Sequence, residues 1–174
     1  MKAAALGLLV AALLAPIAGA AEDEFREQRI KTAFLVKFAF FATWPPGTFR
    51  DNDTPIELCL LANDAFGAVV ADLAKDKAVD GRRLRISRVF RAEDLRRCQI
   101  AYLQDAGAAR ESLAALAGHH VLTVYEGDAT QIDGVIRFYL DEDRVRFEVN
   151  MGAAGREGIQ LSSKLLNLAH VVVR

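Results

Sequence analysis

The strongest constraint on this chain is a rhythm in which short apolar runs alternate with stretches of helical period. Residues 56–62 (IELCLLA) are apolar without clean alternation, which predicts a strand covered on both faces, as in a parallel sheet. Behind a cap at Asn63 or Asp64, the spacing of Phe66, Val69, Val70 and Leu73 predicts a helix to about Lys75. Asp80-Gly81 then turns the chain into 84–89, where apolar residues alternate with Arg83, Arg85, Ser87 and Arg88, the pattern of a half-exposed or edge strand. A helical turn over 92–97 precedes a buried strand at 100–103. An Ala/Leu helix over 108–117, with Gly118 placed as its C-cap, leads to another strand at 121–125.

The rhythm changes after this point. Residues 135–140 and 144–150 alternate as strands around the acidic turn Asp141-Glu142-Asp143, which predicts a hairpin. The stretch 152–158 (GAAGREG) reads as a loop. Ser162 and Ser163 are placed as caps for a last helix through Leu165, Leu166, Leu168 and Ala169. Strands alternating with helices and then a hairpin predict an α/β domain: a three-layer sandwich with a mostly parallel sheet and an antiparallel C-terminal hairpin at its edge. No repeat, low-complexity stretch or linker divides the chain beyond residue 20.

Residues 1–20 read differently. Met1-Lys2 is followed by an uncharged, almost wholly aliphatic run to Ala20, with small residues at Ala18 and Ala20 and the acidic Glu22-Asp23-Glu24 behind them. This matches a secretory signal cleaved to leave a single domain over 21–174. A retained membrane anchor is the competing reading, and Gly7, Pro16 and the shortness of the run weigh against it. In an exported chain Cys59 and Cys98, 39 positions apart and in no metal-knuckle pattern, favour a disulfide over two buried free thiols. The sheet would put the pair on neighbouring strands, with Cys98 at the start of one and Cys59 near the middle of the other, an indifferent register for bonding.

From Glu24 to Thr43, Phe25, Ile30, Phe34, Phe38 and Phe41 recur at mostly helical spacing, and Leu35, Val36 and Phe40 widen the stripe beyond half the girth. Trp44-Pro45-Pro46-Gly47 ends this first helix. So apolar a helix is buried either in its own core or against another chain.

Catalytic patterns do not assemble. Gly152, Gly155 and Gly158 lack a nucleotide fingerprint, the serines lack a nucleophile elbow, and the acidic turn is too short for a calcium loop. His119-His120 points two ways from an extended backbone and cannot ligate one metal together. His170 falls near the end of the last helix, where it would complement the dipole. No catalytic residue, metal site or cofactor is expected. The arginines of 82–91 read as a solvated strand face or, more sharply, as a surface for anions or an acidic partner. The whole chain carries 22 Lys+Arg against 23 Asp+Glu, a formal charge of −1 that argues against nucleic acid as a partner. Its hydrophobic share of 52%, with ten Phe, argues against disorder.

Several phrases together resemble the YfiR family of exported bacterial proteins: Lys31-Thr32-Ala33-Phe34-Leu35 with Lys37-Phe38, Thr43-Trp44-Pro45, Ile56-Glu57-Leu58-Cys59 and Arg97-Cys98. Val121-Leu122-Thr123-Val124, Arg146-Phe147-Glu148-Val149-Asn150, Gly158-Ile159 and Ser162-Ser163-Lys164-Leu165-Leu166 continue the match. The resemblance implies a periplasmic regulator without enzymatic activity, a homodimer. It would inhibit the periplasmic sensor part of an inner-membrane diguanylate cyclase or sensor kinase, and an outer-membrane lipoprotein would release the brake by sequestering it. It also implies disulfides, of which this chain can make only Cys59–Cys98, since no second cysteine pair exists. Candidate contacts, chosen by chemistry, are Arg156, Glu157 and Ile159 for a partner and Phe38 and Trp44 for a dimer seal. A small-ligand carrier or sensor, using the crevice at the C-terminal ends of the parallel strands, is the reading from another functional class.

Overall fold

The computed structural model describes residues 15–61, 64–104, 106–127 and 133–173, with side chains from Glu22 onward except at 64, 65, 106 and 108. Residues 1–14, most of the expected signal, lie outside the described residues, as do Ala62 and the proposed cap Asn63. In chain order the elements are α1 (Ala15–Phe41), β1 (Ala42–Thr43), β2 (Ile56–Leu61), α2 (Asp64–Ala74), β3 (Ala78–Val79) and β4 (Arg82–Val89). A 3-10 helix (Ala92–Arg97), β5 (Ile100–Leu103), α3 (Ala106–Leu116), β6 (Leu122–Glu126), β7 (Ile136–Asp141) and β8 (Arg144–Asn150) follow. The chain closes with α4 (Met151–Arg156), β9 (Gln160–Leu161), α5 (Ser163–Leu166) and β10 (Val171–Val173).

The described strands form one large sheet in the order β10-β8-β7-β6-β5-β2-β4-β3 and a small β1-β9 ribbon. β2 pairs in parallel with both β4 and β5, and β5, β6 and β7 continue the parallel block. β7 and β8 form the expected antiparallel hairpin. Central strands of this kind bury both faces, which explains their aliphatic runs. Leu58, Leu60, Ile100, Tyr102, Leu122 and Val124 pack toward α1 and α2. Cys59, Val89, Ala101, Leu103 and Tyr125 pack with Leu95 of the 3-10 helix and Ala109 and Leu116 of α3 on the other side. The result is the three-layer α/β arrangement expected from the sequence.

Half of α1 is core. Leu35, Phe38 and Ala39 are fully buried, and the rings of Phe34, Phe38, Phe138 and Phe147 stack or tilt against one another at centroid distances of 5.1 to 6.3 Å. Truncating one such ring to Ala costs about 3–5 kcal/mol. The opposite side leaves Phe25, Ile30 and Phe40 exposed.

Four expectations at the C-terminal end are corrected. Residues 152–158 are not a loop: Met151–Arg156 is helical, because the Asn150 side chain accepts from the Ala153 N–H (2.9 Å) and Ala153 and Ala154 bury against the sheet. Only Gly158 of the three glycines there takes a left-handed turn, at φ 68°. The last helix does start behind Ser162 as its N-cap, but it stops at Leu166. The chain then turns to form β10, parallel to β8. The hairpin is therefore inside the sheet rather than at its edge. His170 caps no helix; its N–H donates to the Phe147 carbonyl (2.9 Å) and its ring meets the Tyr139 hydroxyl. Three valines are too few to show a strand period, which is why β10 was not visible as a strand.

Candidate functional site

Four of the five residues chosen for contact chemistry gather at one end of the molecule, around the β1-β9 ribbon. Ala42 pairs with Leu161 and Thr43 with Gln160, so the next step in each direction brings Trp44 toward Ile159. Gly158 turns here in the left-handed region at φ 68°, which favours glycine, and it lies beside Pro45, in whose ordinary contact range a Cβ would fall (3.4 Å to Pro45 Cγ). The Glu157 carboxylate accepts from the N–H groups of Gly118 (2.9 Å) and His120 (2.8 Å), and its carbonyl contacts His120 Nδ1 at 2.8 Å. Thus the loop after α3 and the segment after α4 are tied by one side chain. Arg156 is exposed and pairs with Asp133.

Their roles divide. Phe38 at 0% exposure and Ile159 at 3% are core residues, and Trp44 at 9% is held inside by its indole N–H, which donates to the Gln99 carbonyl (3.2 Å). The expectation that Phe38 and Trp44 seal a dimer, and that Ile159 touches a partner, is therefore corrected: each has its apolar surface covered within its own chain. Arg156 and the half-buried Glu157 remain as surface groups.

Cys59 and Cys98 are joined, with Cα atoms 5.9 Å apart. The bond is not made across paired strand positions. Cys59 stands opposite Ala101 in the ladder, and Cys98 reaches it from the end of the 3-10 helix, where its N–H donates to the Leu95 carbonyl (3.0 Å). The indifferent register is bypassed because Cys98 lies over the sheet face rather than in a strand. Both sulfurs sit in the apolar layer beneath α3.

Sequence reasoning missed two buried ionic groups. Lys31, on the apolar side of α1, is 6% exposed and its ammonium donates to Glu126 Oε2 (2.5 Å) at the C-terminal end of β6, and it also pairs with Glu27. Burial holds the Glu126 carboxyl above the ordinary carboxylate range, opposed by the hydrogen bond and charge of Lys31. The detectable signal was a lysine inside an aromatic stripe. Arg137 grips Glu148 through two parallel bonds, Nε to Oε1 (2.7 Å) and Nη2 to Oε2 (2.9 Å), and donates from Nη1 to the Gly127 carbonyl (3.0 Å). They are directly opposed in the hairpin register, a pairing readable once the turn is known.

A cleft of about 420 Å³ opens beside α3 and is lined by Arg110, Leu113, Thr123, Asp133, Val135 and Arg156, among others. Thr123 and Val135 lie at the starts of β6 and β7, so the cleft is at the opposite end from the strand C-termini where a ligand-binding α/β sheet opens its crevice. Among the described residues, no three His, Cys, Asp or Glu side chains are grouped to hold a metal ion, and no helix is long and apolar enough to cross a membrane.

A family model described as YfiR/HmsC-like matches residues 28–170, from within α1 to the residue before β10. No curated protein matches. Among solved structures, a conserved domain protein from Vibrio cholerae O1 biovar El Tor is similar with a TM-score of 0.50 at 12% identity, over 67% of this chain and 54% of that one. An ABC domain in complex with L-Trp from Streptococcus pneumonia is similar with a TM-score of 0.44 at 9% identity, over 67% of this chain and 55% of that one. The chain spans about half the length of these two structures, and the likeness to the Vibrio protein concerns the fold alone.

Proposed function

The chain belongs to the YfiR/HmsC-like family, and from that premise we propose that it is a non-enzymatic periplasmic regulator. In this reading it binds the periplasmic sensor part of an inner-membrane diguanylate cyclase, holds it inactive and so lowers cyclic di-GMP output. The observation that carries the reading is the extent of the family match, which takes in α1 from residue 28 on, the parallel block, the hairpin and the Arg156–Ile159 segment together. Export is proposed to be directed by residues 1–20, which are then cleaved. The Cys59–Cys98 bond supports an oxidising compartment.

The mechanism is inhibition by stoichiometric binding. It asks for a stable surface rather than for a nucleophile or a bound cofactor. Arg156 and Glu157 supply charge at a rim whose backbone is fixed by the Glu157 bonds to Gly118 and His120, and a preorganised rim loses little entropy on docking. Release of the brake would come from a competing partner such as an outer-membrane lipoprotein, and the regulator would work as a homodimer.

Deleting the gene in a host that expresses the cyclase is expected to raise cyclic di-GMP and surface attachment, and the wild-type gene should restore both. Arg156→Glu should restore them poorly while melting like the wild type, because Arg156 is exposed and its pair with Asp133 is a surface pair worth about 0–1 kcal/mol. Unchanged cyclic di-GMP in the deletion strain sinks the reading. Full complementation by Arg156→Glu would move the contact elsewhere on the surface.

A further inference from the structure

β4 is the last long strand on its side of the sheet, and most of its outer edge is open. β3 pairs only with Arg82 and Arg83, and the Leu84 N–H donates to the Lys77 carbonyl (2.9 Å). Among the described residues no strand lies against 85–89 on that side. Backbone groups of alternate strand residues point the same way. Since the Leu84 N–H points toward the β3 side, Ile86 presents its N–H and C=O to the same, open side.

An exposed edge is a template for another strand, and proteins commonly blunt it with charge. Here the charge has a single sign: residues 82–91 contain five arginines and no acidic residue, in a chain of net charge −1. Arg83 and Arg85 stand two residues apart on one face of the strand, and both are exposed. Arg85 shares its charge with Glu57 (3.0 Å) on β2, whereas Arg83 has no acidic partner among the described residues. On the other face Ile86 is half-buried, and Phe90, just past the end of the strand, is 82% exposed. Such an edge repels basic strands and favours an acidic one. A flat anionic bilayer would meet the arginine tips but make no use of the open backbone.

We propose that the open edge of β4 receives an extended acidic segment of a partner protein as an added strand. An Asp or Glu of that segment opposite Arg85 would also lie near Arg83, two residues back on the same face beside the end of β3, and apolar residues at the alternate positions would lie against Ile86 and Phe90. The backbone supplies affinity and the side-chain alternation supplies selection. The proposal does not rest on the regulator reading above, because its probe is a peptide and its readout is binding.

The test is fluorescence anisotropy of the exported chain with a labelled peptide of alternating Glu and Val at low ionic strength. Saturable binding is expected, with no binding of the matching Lys/Val peptide. N-methylating every second peptide amide should weaken binding about tenfold or more by removing the strand hydrogen bonds, as should Arg83→Glu combined with Arg85→Glu. If the double variant melts early because the new carboxylate at position 85 repels Glu57, Arg83→Glu alone carries the charge test and should weaken binding about fivefold. Absence of saturable binding overturns the proposal. So does an N-methylated peptide that binds as tightly as the parent, which would make the contact one of charge alone. Binding to phosphatidylglycerol vesicles with no peptide response would make the surface a lipid one and overturn it equally.

Discussion

Glu126 places a carboxyl where its charge is costly. One oxygen, Oε2, meets Lys31, while Oε1 is buried with no hydrogen-bond partner among the described residues. Burial raises its pKa above the ordinary 4.5, Lys31 draws it back, and Glu27 pushes it up again. A carboxyl whose folded value is raised holds its proton more firmly in the folded state. Its contribution to stability is therefore greatest below 4.5 and is lost as pH rises through the folded value. Glu126→Gln keeps an acceptor for Lys31 and removes the titration. The difference in urea midpoint between wild type and variant, followed from pH 4 upward, should change in that window in favour of the variant. A pH-independent difference would show that Glu126 does not titrate there. At the same scale, the Cys59–Cys98 bond closes a loop across 39 positions, which in the chain-entropy account stabilises by about 4 kcal/mol. Cys59→Ser with Cys98→Ser should lose about 2–5 kcal/mol in urea unfolding, and the oxidised wild type should show no free thiol by mass. Two free thiols in exported material would contradict the bond directly.

At the scale of elements, the β7–β8 hairpin carries local strain in its turn. Asp141 pairs with Arg144, so Glu142 and Asp143 form a two-residue loop, and both have positive φ, 47° and 59°. That geometry prefers Asn-Gly, and glutamate in the left-handed region is costly. Glu142→Asn with Asp143→Gly should stabilise by about 1 kcal/mol, seen as a rise of a few degrees in Tm; a fall in Tm would show that the acidic pair makes a compensating contact. The hairpin was legible in the sequence because alternation and turn chemistry agree there. The central strands and α1 were legible for the same reason, since their patterns are long. The end of the chain was not, because α4 hides behind three glycines and depends on the Asn150 cap, and β10 is three valines ordered only by pairing with β8. The contact residues were half-legible. Apolarity marked Phe38, Trp44 and Ile159 as important but could not say that their own chain covers them, which is set by how α1 and the β1-β9 ribbon fold back.

At the scale of the molecule, no helix among the described residues is long and apolar enough to cross a membrane, and the regulation proposed above would be exerted through a membrane-bound partner. The proposed export would then bear on its structure. Within the described residues α1 is helical from Ala15 to Phe41 without a break. Cleavage after Ala20 would place Glu22-Asp23-Glu24 in the first turn of the mature helix, where each negative charge meets the positive end of the helix dipole and contributes roughly 0.3–1 kcal/mol. The acidic triplet behind the signal would thus serve the mature helix as well as the processing site. Material recovered from the periplasm should have the mass of a chain beginning at Ala21. In that chain, replacing Glu22, Asp23 and Glu24 by Lys should lower amide-exchange protection over 25–31 by about tenfold, and the same change in an uncleaved chain should have a much smaller effect. Equal protection in the two cleaved forms would deny the triplet a role in the helix, and an exported mass that retains residues 1–20 would replace the signal with an anchor.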